Sequence, residues 1–180
     1  MLDYLKWRGD LPMSAAPVNE LDALVFSQLA YMHFRDALGD QGMSLQNAAK
    51  LVEALEREPG NPQVVADRHS LLLAAAGSVR FGNLWVSRAE DIFMPQLEMQ
   101  FAAVTFTLPD GSVMIAYRGT DATVVGWKED FNMAFSCPVP SQTEAVRYLT
   151  AVAAAAGGPV RLCGHSKGGN LALYAAAFSP

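Results

Sequence analysis

The fold is decided by one stretch near the end of the sequence, Pro159-Val160-Arg161-Leu162-Cys163-Gly164-His165-Ser166-Lys167-Gly168-Gly169-Asn170-Leu171-Ala172-Leu173-Tyr174-Ala175-Ala176-Ala177. Its first five residues have the pattern of a buried strand, the glycine-rich middle that of a tight turn, and the end rich in alanine and leucine that of a helix. Strand, sharp turn and helix in this order predict a serine held at the tip of the turn.

Ser166 lies in a Gly-x-Ser-x-Gly pattern, between Gly164 and Gly168. A serine hydroxyl becomes an effective nucleophile when it is lifted clear of the sheet, beside N–H groups that stabilise an oxyanion. The two glycines are needed where the turn leaves no room for a side chain, and the N–H of Lys167 is a candidate oxyanion donor. His165 is expected to point away and to support the turn. The alternative is a glycine-rich turn without chemistry, or a phosphate cradle.

A second motif, Tyr117-Arg118-Gly119-Thr120, ends a strand upstream. The second oxyanion donor of such an elbow comes from a loop after a neighbouring strand. The backbone N–H of Thr120 is our candidate, with its hydroxyl as a further donor, and Gly119 would allow the close approach. The alternative is a plain turn with Arg118 in an ion pair.

The first 80 residues are predicted to be mainly helical. Asn19 has the character of an N-cap for a helix that reaches Met32, and two further helices are predicted at 44–57 and 67–76. The Pro59-Gly60-Asn61-Pro62 segment is expected to end the second of these.

Residues 81–180 are predicted to form the sheet. The β-rich runs 98–107 and 113–117 flank a turn sequence and predict a hairpin. A helix over 141–156, begun by a Ser141–Glu144 capping box, would cross over to the strand at 160–163. That strand and 113–117 would then be parallel neighbours, with Thr120 and Ser166 at the same edge of the sheet.

Composition limits the possible partners. The chain has 180 residues, 51% hydrophobic and 17% charged, with a net charge of -5, so we expect one domain over 1–180 and no nucleic-acid interface. No apolar run is long enough for a transmembrane segment, and the N-terminus does not resemble a signal peptide, so a cytoplasmic location is expected. Cys137 and Cys163 have neither disulfide nor metal-ligand spacing. No cofactor and no metal are predicted.

Three motifs together resemble class 3 lipases, and more closely the bacterial lipase-like family known as domain of unknown function 2974: Tyr117-Arg118-Gly119-Thr120, Trp127-Lys128-Glu129-Asp130 and Gly164-His165-Ser166-Lys167-Gly168-Gly169-Asn170. Two segments near the N-terminus also resemble that family, namely Asp3-Tyr4-Leu5-Lys6-Trp7-Arg8-Gly9-Asp10 and Asn19-Glu20-Leu21-Asp22. The similarity therefore spans nearly the whole chain.

The resemblance implies an α/β-hydrolase fold with a mostly parallel sheet, truncated after the nucleophile helix and preceded by a helical region. It implies that Ser166 is the nucleophile, that Thr120 and Lys167 are oxyanion donors, and that Trp127 and Asp130 brace the loop behind them. The implied reaction is the hydrolysis of a carboxylic ester, lipid esters included.

The acid and base of such an enzyme are expected beyond Pro180. They follow the serine in the order Asp or Glu, then His, and none of the 14 residues after Ser166 is acidic or histidine. His33 and His69 lie in helical patterns and are not favoured as the base. Without strands beyond 160–163 the sheet would keep an apolar edge, so self-association is expected.

Two functions from different classes remain open. One is a serine esterase or lipase acting on a small-molecule ester or lipid, weak or inactive as this chain alone. The other is a non-catalytic hydrolase-like module for binding or assembly, and a third, weaker possibility is acyl or peptide transfer through Ser166. A reading frame that continues past Pro180 and encodes an Asp and a His would favour the first.

Overall fold

The centre of the molecule is a five-stranded sheet in the order β1-β2-β3-β4-β5. The computed structural model describes residues 1–39, 41–55 and 61–180. Strands β1 to β4 pair antiparallel with their neighbours, whereas β4 and β5 pair parallel. The strands are β1 (Met43–Ser44), β2 (Trp85–Met94), β3 (Met99–Thr107), β4 (Val113–Tyr117) and β5 (Val160–Gly164).

The prediction of a mostly parallel sheet, as in an α/β-hydrolase, is wrong for this chain. A short 3-10 turn over Pro95–Leu97 joins β2 to β3, and a five-residue turn joins β3 to β4. Connections this short allow only antiparallel neighbours, since a parallel pair needs a crossover of a dozen residues or more. Most neighbouring strands are therefore antiparallel.

Two local predictions about the sheet are confirmed. β3 and β4 form the antiparallel hairpin, with Thr107 opposite Val113. β4 and β5 are parallel, with Val113 opposite Val160 and Tyr117 opposite Gly164. Both strands therefore end at the same edge, immediately before the two motifs at Thr120 and Ser166.

The helices surround this sheet. The predicted end of the helix over 44–57 lies outside the described residues. The helices are α1 (Leu2–Arg8), α2 (Glu20–Leu29), α3 (Phe34–Ala37), α4 (Leu45–Leu55), α5 (Pro62–Ala76), α6 (Val124–Asn132), α7 (Pro140–Ala155) and α8 (Lys167–Phe178). None of them, within the described ranges, has both the length and the apolar character needed to cross a bilayer.

Helix starts follow the capping residues, with two corrections. Asn19 caps α2 as expected. α5 begins at Pro62, because Asn61 caps it and proline is favoured in the first turn. α7 begins at Pro140, and the predicted Ser141–Glu144 capping box is absent: Gln142 accepts from the Val139 N–H, while the Ser141 N–H donates to Glu129.

The core lies in two layers, one on each face of the sheet. In β4, Met114 and Ala116 pack against the N-terminal helices, while Val113, Ile115 and Tyr117 pack against α7 and α8. Alternate residues of a strand point to opposite faces of the sheet. The strand β4 is therefore buried on both of its faces. This explains why its sequence is apolar throughout.

Candidate functional site

Ser166 lies between β5 and α8, at the tip of the turn that the sequence predicted. Its φ is 57° and its ψ is -127°, a left-handed conformation that is unusual for a residue with a side chain. Such strain costs about 1–3 kcal/mol and persists only where the surrounding structure imposes it. Ser166 is nevertheless exposed, so its hydroxyl is accessible to a ligand.

Gly164 and Gly168 impose this turn by permitting backbone contacts that no side chain would allow. A Cβ on Gly164 would lie 2.2 Å from the Gly168 carbonyl carbon and oxygen, and one on Gly168 would lie 2.2 Å from the Tyr117 carbonyl oxygen. Any other residue would force the start of α8 away from the ends of β4 and β5. The structure thus gives both glycines the role expected from the motif.

The Gly119 loop lies directly against the elbow. A Cβ on Gly119 would stand 3.3 Å from the Ser166 Cβ and 2.4 Å from the His165 carbonyl oxygen. Among the residues that the structure describes, none accepts a hydrogen bond from the N–H of Thr120 or Lys167. Both N–H groups are therefore unsatisfied by the protein close to Ser166, as donors to an oxyanion must be.

Asp130, which the sequence analysis expected to brace the loop, contacts Thr120. The Thr120 hydroxyl donates a hydrogen bond to the Asp130 carboxylate. That hydroxyl is therefore directed towards α6, which leaves the backbone N–H as the Thr120 donor. Trp127, the other residue expected to brace the loop, is 57% exposed.

A buried ion pair behind the elbow was missed from the sequence. Lys167 Nζ lies 2.8 Å from Glu129 Oε2 and donates to the Gln100 carbonyl at 2.7 Å, and both charged side chains are at most 1% exposed. Glu129 also accepts from the N–H groups of Gln100 and Ser141, at 3.1 and 2.9 Å. One carboxylate therefore ties α6, β3 and the start of α7 to the residue after Ser166.

Tyr31, which follows α2, was also missed although it reaches the site. Its hydroxyl lies 3.1 Å from His165 Nδ1, and the Arg68 guanidinium stacks 3.8 Å from the centre of its ring. Burial raises the pKa of Tyr31, against smaller opposing effects of Arg68 and Arg118, so the phenol is protonated at neutral pH. No sequence pattern signals this contact, because 134 residues separate the partners.

Arg118 is held in an ion pair, the alternative that the sequence analysis left open for its motif. Its guanidinium donates to both carboxylate oxygens of Asp91, at 2.8 and 2.9 Å, and His33 Nδ1 lies 3.3 Å from the same carboxylate. Burial raises the pKa of Asp91, but the His33 hydrogen bond and the Arg118 charge outweigh it and lower that pKa. The ion pair anchors the residue before Gly119 and so supports the loop.

Cys163, which the sequence analysis expected to be buried, lies beneath the elbow. It is 9% exposed, and burial raises the pKa of its thiol to about 12. The thiol therefore stays protonated at neutral pH and is a poor nucleophile.

Comparison with known proteins identifies the family but supplies no close relative. Residues 75–180, more than half of the chain, match the model of the family described as Mbeg1-like. No curated protein and no solved structure matches the chain significantly. Three motifs had suggested a lipase-like family, and this match corrects that expectation. The chain belongs to the Mbeg1-like family.

Proposed function

We propose that the protein is a serine hydrolase that cleaves a carboxylic ester with Ser166 as its nucleophile. The observation that carries the proposal is the strained, exposed Ser166 at the start of α8, with Gly119 packed against it. A serine that only filled a turn would have no reason to adopt a conformation that glycine accepts at lower cost.

The geometry also supports a way to stabilise the transition state. As the Ser166 oxygen bonds to the ester carbon, its hydroxyl proton passes to a base from the solvent and the carbonyl oxygen takes up negative charge, which the N–H groups of Thr120 and Lys167 are available to bind. When the carbonyl re-forms, the bond to the alcohol oxygen breaks, and the alcohol takes up a proton and leaves. The start of α8 adds the partial positive charge of a helix N-terminus. His165 is engaged with Tyr31 through Nδ1, so we assign it to positioning the turn.

The proposal is tested by labelling the protein with a fluorophosphonate probe and mapping the modified peptide. We expect the probe to modify Ser166 in the wild-type protein. In Ser166→Ala we expect no labelling, and hydrolysis of p-nitrophenyl acetate at least a hundredfold slower than in the wild type, because the covalent step needs the Ser166 oxygen. Ser136→Ala is the matched control, since Ser136 is an exposed serine in the loop before α7.

Labelling at another serine, or equal hydrolysis by Ser166→Ala, would refute the proposal. If the protein neither reacts with the probe nor cleaves any of a panel of acyl esters, a non-catalytic binding module becomes the better interpretation. In that case the strain at Ser166 would serve recognition instead of catalysis.

A further inference from the structure

A cavity of about 280 Å³ opens between α5 and the loop that carries Thr120. Thr120, Ala122 and Thr123 form one wall, and Val64 and Val65 of α5 form the opposite wall. Tyr31 and Arg118 are also among the residues that line it. The cavity therefore lies between the N-terminal helices and the proposed catalytic loop.

Two lining residues, Thr120 and Tyr31, connect the cavity to the elbow, while Ser166 itself does not line it. Thr120 lines it and directly follows Gly119, whose Cβ position is 3.3 Å from the Ser166 Cβ. Tyr31 also lines it, and its hydroxyl lies 3.1 Å from His165 Nδ1, the residue before Ser166. A group bound here would be within reach of an ester carbonyl held at the Thr120 N–H.

The charged side chains around the cavity are engaged by other groups of the protein. Arg118 is paired with Asp91, and the Arg68 guanidinium lies over the ring of Tyr31. The Asp121 carboxylate accepts from the Thr123 N–H at 2.7 Å. With cations and anions both present, this lining favours a neutral ligand, and the valines favour an apolar one.

Resting on the function proposed above, we infer that this cavity binds the acyl group and that the substrate class is esters of short, neutral acyl chains. The acyl group stays attached to Ser166 until the second step, whereas the alcohol must leave, so a walled cavity suits the acyl side. The volume of about 280 Å³ lies just below the roughly 300–1,000 Å³ that is typical of ligand pockets, and it is too small for a long-chain lipid.

The inference is tested with p-nitrophenyl acetate, butyrate, octanoate and palmitate. We expect kcat/KM to be highest for the shorter chains and at least tenfold lower for palmitate. Val65→Phe narrows the cavity and should lower the ratio of octanoate to acetate activity at least fivefold. Val79→Phe is the matched control, because Val79 is exposed and lies outside the cavity lining.

A separate measurement detects the binding site without any turnover. In Ser166→Ala, titration with p-nitrophenyl butyrate should shift the amide NMR signals of residues 120–123 and of Val64 and Val65 in a saturable way. Shifts confined to other parts of the chain, or Ser166-dependent activity that is equal for palmitate and butyrate, would overturn the inference. Saturable binding here without Ser166 labelling would refute the catalytic proposal and leave the cavity as a binding site.

Discussion

Tyr31 is the residue that connects the N-terminal helices to the elbow. It lies outside residues 75–180, the part matched by the family model, yet its hydroxyl contacts His165 and lies 2.3 Å from the Cβ position of Gly119. The two loops of the proposed site are therefore positioned against each other by a side chain from a third part of the chain.

The contribution of this single residue can be tested with Tyr31→Phe, which removes the hydroxyl and keeps the ring under Arg68. The His165 side chain loses a hydrogen bond worth about 0.5–1.5 kcal/mol, so we expect kcat/KM to fall about two- to tenfold. The NMR signals of the His165 ring should change as its Nδ1 loses this partner, while Tm should fall by no more than a few degrees.

Tyr174→Phe is the matched control for this prediction. Tyr174 stacks on Phe178 at the far end of α8, with ring centres 4.4 Å apart, and should affect neither readout. A Tyr31→Phe protein with unchanged kcat/KM and an unchanged His165 spectrum would show that Tyr31 only fills space.

At the scale of elements, the Glu129 carboxylate joins α6, α7, β3 and the start of α8. Removing one partner of a buried ion pair leaves an uncompensated charge and costs about 3–5 kcal/mol. We therefore predict that Glu129→Gln lowers the free energy of unfolding by an amount of this order, measured by urea denaturation, since Lys167 keeps its charge in a buried position.

The double variant Glu129→Gln, Lys167→Met separates charge from packing. It removes both charges, so we expect it to recover much of the stability that Glu129→Gln loses. The matched control is Glu98→Gln, because the exposed Lys128–Glu98 pair joins the same helix to the turn before β3 and should contribute little. A double variant as unstable as the single one would show that the bonds to the backbone, not the charge pair, hold these elements together.

At the scale of the whole molecule, β5 is at the edge of the sheet within the described part of the chain. Beside it, α8 exposes Leu173 and Phe178 by 76% and 62%. A strand that is paired on one side only, next to exposed apolar side chains, favours association with another chain. We predict that the weight-average mass measured by light scattering rises with protein concentration.

Leu173→Lys should reduce this association, because it places a charge on the exposed face of α8 without disturbing the core. Val124→Lys is the control, since Val124 is 72% exposed on α6. A wild-type protein that stays monomeric at high concentration, or a Leu173→Lys protein that associates equally, would count against an interface at this edge.

Features that depend on local patterns could be predicted from the amino-acid sequence. The hairpin of β3 and β4 and the turn at Ser166 follow from apolar periodicity and glycine placement, which act over a few residues. The parallel pairing of β4 with β5 was predicted from the crossover helix between them. The sequence could not predict β2, because its segment Trp-Val-Ser-Arg-Ala-Glu-Asp-Ile-Phe-Met is charged and only partly buried, and is held by pairing with β3.

The direction of most strands and the identity of the residues that support the site became known from the three-dimensional structure. The sheet is mostly antiparallel because short turns join β2, β3 and β4, whereas the family resemblance suggested parallel strands. Tyr31 contacts His165 and Glu129 binds Lys167 across separations of 134 and 38 residues. Such contacts leave no mark in a local pattern, because they depend on how the helices and the sheet pack together.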